Sequence, residues 1–144
     1  MEEIKAVYNE IILEHNQYPF NKKELSKYTI VEEGVNPSCG DQIKLFVLIE
    51  NEKIEDISFI GQGCSISTAS SSILTSTVKG MKIKEVEELI KSTIEYIKTG
   101  KTEGMEKIEN TDIVAFENIH KFPVRIKCAL LPWITLNEAL KNPK

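Results

Sequence analysis

The stretch that most constrains this 144-residue chain is a pair of strand-like runs separated by only two residues. Gln42–Glu50 is rich in β-branched and aromatic side chains, and Lys53–Ile60 alternates through Ile54, Ile57 and Phe59. Asn51 and Glu52 join the runs at hairpin length, although neither is the glycine of the strongest hairpin turns. Residues 25–33 read as a weaker strand that ends in a Glu33-Gly34 turn. The expected product is a three-stranded antiparallel meander.

The flanking sequence is helical in pattern. Ile4, Val7, Tyr8, Ile11, Ile12 and His15 recur at three- and four-residue steps, which predicts an amphipathic helix over residues 3–15, ended by His15-Asn16-Gln17-Tyr18-Pro19. His15 continues the apolar stripe and is expected to be a hydrogen-bonded histidine packing the helix end. Residues 64–79 resemble a serine-rich linker, yet Ile66, Ala69, Ile73, Leu74 and Val78 keep helical spacing, so a buried helix capped by Gly80 is expected. Ile83 to Ile97 forms a second helix stopped by Gly100. Residues 100–118 are a polar surface excursion, and Phe122 to Lys141 is helical with a break near Pro132. With no internal repeat, residues 1–144 are expected to be one α+β domain.

Charge excludes several functions. The 18 basic and 22 acidic residues give a net charge of −4 without a basic block. That is no footprint for nucleic acid or for an anionic membrane surface. No apolar run approaches the roughly 20 residues of a membrane span, and Met1-Glu2-Glu3 is wrong for a signal peptide. The cytoplasm is the default location.

Three dispersed cysteines suit neither a disulfide framework nor a common zinc finger. Cys39 and Asp41 stand two residues apart around Gly40; in an extended segment both would point the same way. An ordinary turn, with Asp41 bonding its own backbone, is the competing explanation. Cys64 follows Gly61-Gln62-Gly63 at a strand-to-helix junction, where helix N–H groups favour a thiolate. Cys128 has Arg125 three residues before it and Lys127 beside it. Those cations also favour a thiolate, unless they face water while Cys128 packs with Leu131. Taken together, three thiols and one carboxylate suit tetrahedral zinc, and iron in a sulfide cluster is compatible with the same thiolates.

Four motifs then carry a resemblance that runs nearly the whole chain. They are Tyr8-x-x-Ile11-Ile12-x-x-His15-x-x-x-Pro19, Asn36-Pro37-x-Cys39-Gly40-Asp41, Gly61-x-Gly63-Cys64-x-Ile66-Ser67-x-Ala69-Ser70 and Arg125-x-x-Cys128-Ala129-x-Leu131-x-Trp133. In these the chain resembles the SufU/IscU/NifU-type iron–sulfur assembly proteins, and within them the SufU branch. The resemblance implies an α+β fold with a three-stranded antiparallel sheet and helices packed against it, as in SufE/IscU-like proteins. It also implies Cys39, Asp41, Cys64 and Cys128 as ligands of one metal near the surface. Cluster-scaffold members carry a histidine where this chain has Lys127, and they lack an insertion that residues 100–118 resemble here. Both differences point to a zinc-bound sulfur acceptor.

On that resemblance the chain takes persulfide sulfur from a SufS-type cysteine desulfurase and passes it to a SufBCD-type cluster scaffold. As an enzyme it is at most a zinc-dependent sulfurtransferase. Cys39 is the expected acceptor, and Arg125 steadies the persulfide or orients Asp41. The alternative is a scaffold on which a cluster is itself assembled at the same ligands; a third role is a purely structural metal. A hydrolase is disfavoured, since no nucleophile–histidine motif is present and His120 sits in a plain loop-to-helix stretch.

Overall fold

A computed structural model describes residues 7–141. Strands β1 (Ile30–Asn36), β2 (Asp41–Glu50) and β3 (Lys53–Gln62) form one antiparallel sheet in the order β1-β2-β3. Asn51 and Glu52 both adopt positive φ, 53° and 61°. That backbone twist matches the flanking strands, so the β2–β3 turn forms without a glycine. Along β2 and β3 the period-two alternation buries Ile43, Leu45, Val47, Ile57 and Phe59 in the core.

Among the described residues five α-helices accompany the sheet: α1 (Glu10–Gln17), α2 (Ser65–Val78), α3 (Ile83–Thr99), α4 (Met105–Ile108) and α5 (Pro123–Lys141). Helix α5 packs on β1, β2, α2 and α3, while α2 also contacts β3 and α1. Ile66, Ile73, Leu74, Trp133 and Leu136 join the sheet residues in one hydrophobic cluster. Each such side chain, fully buried, contributes about 1.5–3 kcal/mol.

Helix α2 is buried, as its apolar spacing predicts. Its small hydroxyl residues allow close packing because their polar atoms find partners inside the protein. Ser70 Oγ donates to the Ala129 carbonyl at 2.6 Å and accepts from Trp133 Nε1 at 3.1 Å, tying α2 to α5. Ser71 Oγ donates to the Ser67 carbonyl at 2.8 Å. His15 is only 5% exposed, with Nδ1 2.7 Å from Ser72 Oγ and Nε2 2.6 Å from Asp112 Oδ2. It is the hydrogen-bonded packing histidine expected from the stripe.

Four expectations need correction. Residues 3–6 of the first expected helix lie outside the described residues. Within them the stripe is interrupted at Asn9, whose side chain accepts from the Ile12 N–H at 3.1 Å and starts α1, which then runs past His15 to Gln17. The first strand occupies Ile30–Asn36 rather than residues 25–33, and it continues through Gly34 instead of turning there. Gly34 faces Ile43 in the ladder, and a β-carbon on it would run into Thr135 of α5. Its role is therefore close approach, not chain reversal. Lastly, Pro132 does not break α5. Its missing N–H forfeits one bond to the Cys128 carbonyl, and the buried neighbours Leu131 and Trp133 hold the helix through that gap.

The excursion expected at 100–118 contains α4 and a 3₁₀ turn, Asp112–Phe116, and a second 3₁₀ turn, Ile119–Lys121, follows it. It is more firmly anchored than its polarity suggests. Ile108, Ile113, Phe116 and Ile119 are all buried.

Candidate metal centre

The β1–β2 reversal is residues 37–40, and it pairs Asn36 with Asp41 across its base. Gly40 supplies the positive φ, 69°, that lets the chain close so tightly. Cys39 therefore sits on a hairpin turn, half-buried, and not on the extended segment that its spacing from Asp41 suggested. Its N–H donates to the Asn36 carbonyl at 3.2 Å. Asp41 opens β2 and is 1% exposed.

Cys64 is the N-cap residue of α2, at the junction its glycines predicted. The Cys64 N–H, one of the helix's unpaired donors, gives a 2.8 Å bond to Asp41 Oδ1. Gly63 makes this approach possible, because a β-carbon there would stand 2.5 Å from both Asp41 Oδ1 and Ser67 Oγ. Cys128 is the sixth residue of α5 and is fully buried.

These elements bring three of the four sequence-derived residues, Cys39, Asp41 and Cys128, into one group, with Cys64 beside it. The donor atoms of Cys39, Asp41 and Cys128 all lie within 4.8 Å of one another. Cys128 Sγ is 3.3 Å from Cys39 Sγ, and Cys64 Sγ is 4.0 Å from Asp41 Oδ2. Cys64 stands at the edge of the tight trio rather than within it.

The surroundings set the protonation of the metal-free thiols. Cys64 is lowered from the usual 9.0 to about 6, chiefly because the Cys128 thiol donates to it. Burial opposes this, the Ser67 backbone adds to it, the Asp41 charge opposes it, and the Ser67 hydroxyl adds a little. Cys128 is pushed far up for the reciprocal reason, with burial, its contact with Cys39 and the charges of Cys64 and Asp41 reinforcing the effect. The cations expected to favour a Cys128 thiolate do not do so. Lys127 is exposed, and the Arg125 guanidinium lies over the Tyr8 ring, 5.9 Å from its centre. Arg125 is thus drawn to an aromatic face, and Asp41 is oriented by other groups.

Those groups are Asn36 Nδ2, 3.2 Å from Asp41 Oδ2, and the Cys64 N–H. Both are neutral, so among the described residues this buried carboxylate meets thiols and no cation. A carboxylate desolvated beside three sulfurs is an electrostatic liability that a soft divalent cation would relieve. The donor set fits zinc. Neither Asn36 nor Ser67 receives a role from sequence alone. The signal available for Asn36 was its position five residues before Asp41 across a tight turn.

A small α+β protein that gathers three cysteines and an aspartate from a hairpin turn and two helix segments defines a recognisable class. Residues 7–129 match the family model described as the NifU-like N terminal domain. The chain is 36% identical over 138 residues to the iron–sulfur cluster assembly scaffold protein IscU of Thermotoga maritima, covering 96% of this chain and 95% of that one. It is also 36% identical over 137 residues to the zinc-dependent sulfurtransferase SufU of Bacillus subtilis, covering 95% and 91%. The fold superposes on the crystal structure of SufU from Fervidobacterium islandicum AW-1 with a TM-score of 0.86 at 34% identity, over 93% of this chain and 96% of that one. A NifU-like N-terminal protein from Brucella abortus, at 18% identity, shares the fold with a TM-score of 0.81. The chain belongs to the NifU-like N-terminal family of iron–sulfur cluster assembly proteins, which includes IscU and SufU.

Proposed function

We propose that this protein is a zinc-dependent sulfur acceptor, working between a SufS-type cysteine desulfurase and a SufBCD-type cluster scaffold. Cys39, Asp41, Cys64 and Cys128 would hold the metal. Bound zinc would keep a coordinating thiol deprotonated at neutral pH. The supporting observation is the donor set itself: the sulfurs of Cys39 and Cys128 gathered with the buried Asp41 carboxylate, and the Cys64 sulfur 4.0 Å from that carboxylate. The likeness to a zinc-dependent sulfurtransferase over 95% of the chain points the same way.

Within the set, Cys39 is the acceptor. It is half-buried on a glycine-hinged turn, whereas Cys128 is enclosed in the core and Cys64 is fixed to the start of α2. The Cys39 thiolate attacks the outer sulfur of the desulfurase persulfide. That sulfur–sulfur bond breaks, the desulfurase cysteine leaves as its thiolate, and Cys39 becomes the persulfide, with no net oxidation. Arg125, stacked on Tyr8, lies three residues before Cys128 and contributes at most a nearby positive charge to the incoming anion.

Sulfur transfer from a desulfurase charged with ³⁵S-cysteine tests this. Label should appear on the zinc-loaded protein and vanish in Cys39→Ala; label retained at the wild-type rate would remove Cys39 from the role. The second reading, a scaffold carrying an iron–sulfur cluster as cargo, is favoured by the scaffold name of the Thermotoga relative. Anaerobic reconstitution followed by transfer of an intact cluster to an apo-ferredoxin would support it instead.

A further inference from the structure

Asn36 ends β1 and is 6% exposed. Its carboxamide nitrogen donates to Asp41 Oδ2 at 3.2 Å and stands 3.8 Å from Cys128 Sγ. One carboxamide nitrogen carries two N–H bonds, so a single side chain reaches both a hairpin ligand and a helix ligand. The other oxygen of Asp41 is already taken by the Cys64 N–H. Asn36 is therefore the side chain that clamps the carboxylate from the sheet side and ties it to α5.

The four donors are not restrained equally. Asp41 and Cys128 face the Asn36 amide, and Cys64 is anchored through its backbone, its N–H donating to Asp41 Oδ1 at 2.8 Å and its carbonyl accepting from the Ser67 hydroxyl at 3.0 Å. Among the described residues the side chain of Cys39 hydrogen-bonds only with the Cys128 thiol, and its backbone N–H reaches the Asn36 carbonyl rather than the amide. Groups that hydrogen-bond to metal ligands fix ligand orientation and distribute ligand charge. A ligand without such a donor is the easiest to detach.

We propose that Asn36 is a positioning residue of the metal centre. Its amide holds Asp41 and Cys128 as the fixed ligands, which leaves Cys39 as the ligand that releases to accept sulfur. The assignment rests on the zinc-binding reading above and deepens it.

The test compares full-length wild type, Asn36→Leu, Asp41→Ala and the double variant, with zinc affinity measured by competition against a chromophoric chelator. Asn36→Leu keeps the volume and removes the donor, and it should weaken zinc binding about 10–100-fold. In the Asp41→Ala background the same change should have a clearly smaller effect, because one of its two targets is gone. Iodoacetamide mapping of the zinc-loaded forms should show Cys39 modified first in wild type, with Cys128 modified alongside it in Asn36→Leu. A core variant matched for the loss of metal-free thermal stability should leave affinity within about twofold of wild type, since it moves no group beside the ligands. If Asn36→Leu fails to fold, Asn36→Ser, which shortens the reach without adding bulk, should weaken zinc in the same direction. Unchanged affinity, or an equal loss with and without Asp41, overturns the positioning role while leaving the zinc reading intact. Wild-type protein that retains no zinc overturns the zinc reading, and this assignment with it.

Discussion

The sulfur atoms of Cys39 and Cys128 lie 3.3 Å apart although 89 positions separate them in the chain. A turn closed by Gly40 brings one to the other, which is held in the buried face of α5. Cys64 contributes its sulfur from the start of α2, 4.0 Å from Asp41 Oδ2.

That proximity makes the metal-free pair prone to oxidation. A mild thiol oxidant such as diamide should take two electrons and two protons from Cys39 and Cys128, becoming the hydrazine and leaving one disulfide. Peptide mapping should find Cys39 joined to Cys128 with Cys64 still free, and saturating zinc should protect both. A Cys39–Cys64 bridge as the dominant product would contradict the arrangement.

Gly63 is expected to control the site sterically. A β-carbon there would press on Asp41 Oδ1 and Ser67 Oγ, each 2.5 Å away. Gly63→Ala must displace the carboxylate or break its bond to the Cys64 N–H, at a cost of about 1–3 kcal/mol. Zinc affinity should fall roughly tenfold or more, the range found when groups supporting a ligand are disturbed. Chelator competition reads this directly. The change should be milder once Asp41→Ala has removed one of the two obstacles, and milder still when Ser67→Ala removes the other.

The hairpin, the buried serine-rich helix and the two helix stops were legible because each rests on local patterning: alternation along Lys53–Ile60, and three- and four-residue steps from Ile66 to Val78. The resemblance carried by motif order put Cys39, Asp41 and Cys128 in one place, and the fold gathers them there with Cys64 at the edge. What failed was non-local. Gly34 looks like a turn residue until Thr135 is known to cross above it. Arg125 looks like an electrostatic partner of Cys128 until Tyr8 is known to lie beneath its guanidinium. Asn36 carries no chemical signal of its own. Its closeness to Asp41 follows from strand register, and its closeness to Cys128 from helix packing.

Cys64 and Cys128 should also give the metal-free protein a pH-dependent stability. Cys64 is held near 6 in the fold against 9.0 when unperturbed. Between those values the unfolded chain binds more protons than the fold, so stability rises with pH; the contribution is complete above 9.0 and lost as pH falls through about 6. Cys128 is shifted upward, so above about 9 the fold keeps a proton that the unfolded chain releases, and stability declines again. Thermal unfolding of chelator-treated, reduced protein from pH 5 to 10 should show a maximum near pH 9 that is flattened in Cys64→Ser. A wild-type profile that falls steadily from pH 6 to pH 9 would contradict the pairing.

Gly34 links stability to the site through the two elements that meet there. Strand β1 carries Asn36 two residues beyond Gly34, and α5 carries Cys128 two turns before Thr135. Gly34→Ala forces a β-carbon onto the Thr135 side chain, so β1 and α5 must separate slightly. Overpacking of this kind costs about 1–3 kcal/mol, or about 3 °C of melting temperature per kcal/mol for a chain of this size. Asn36 would move away from Cys128 in the same displacement, so zinc affinity should fall by more than in Ile54→Val, a core change remote from the site. Thr135→Ala removes the obstructing hydroxyl and methyl and should restore most of both losses in the double variant. If stability recovers and affinity does not, the β1–α5 spacing is not what holds Asn36 against Cys128.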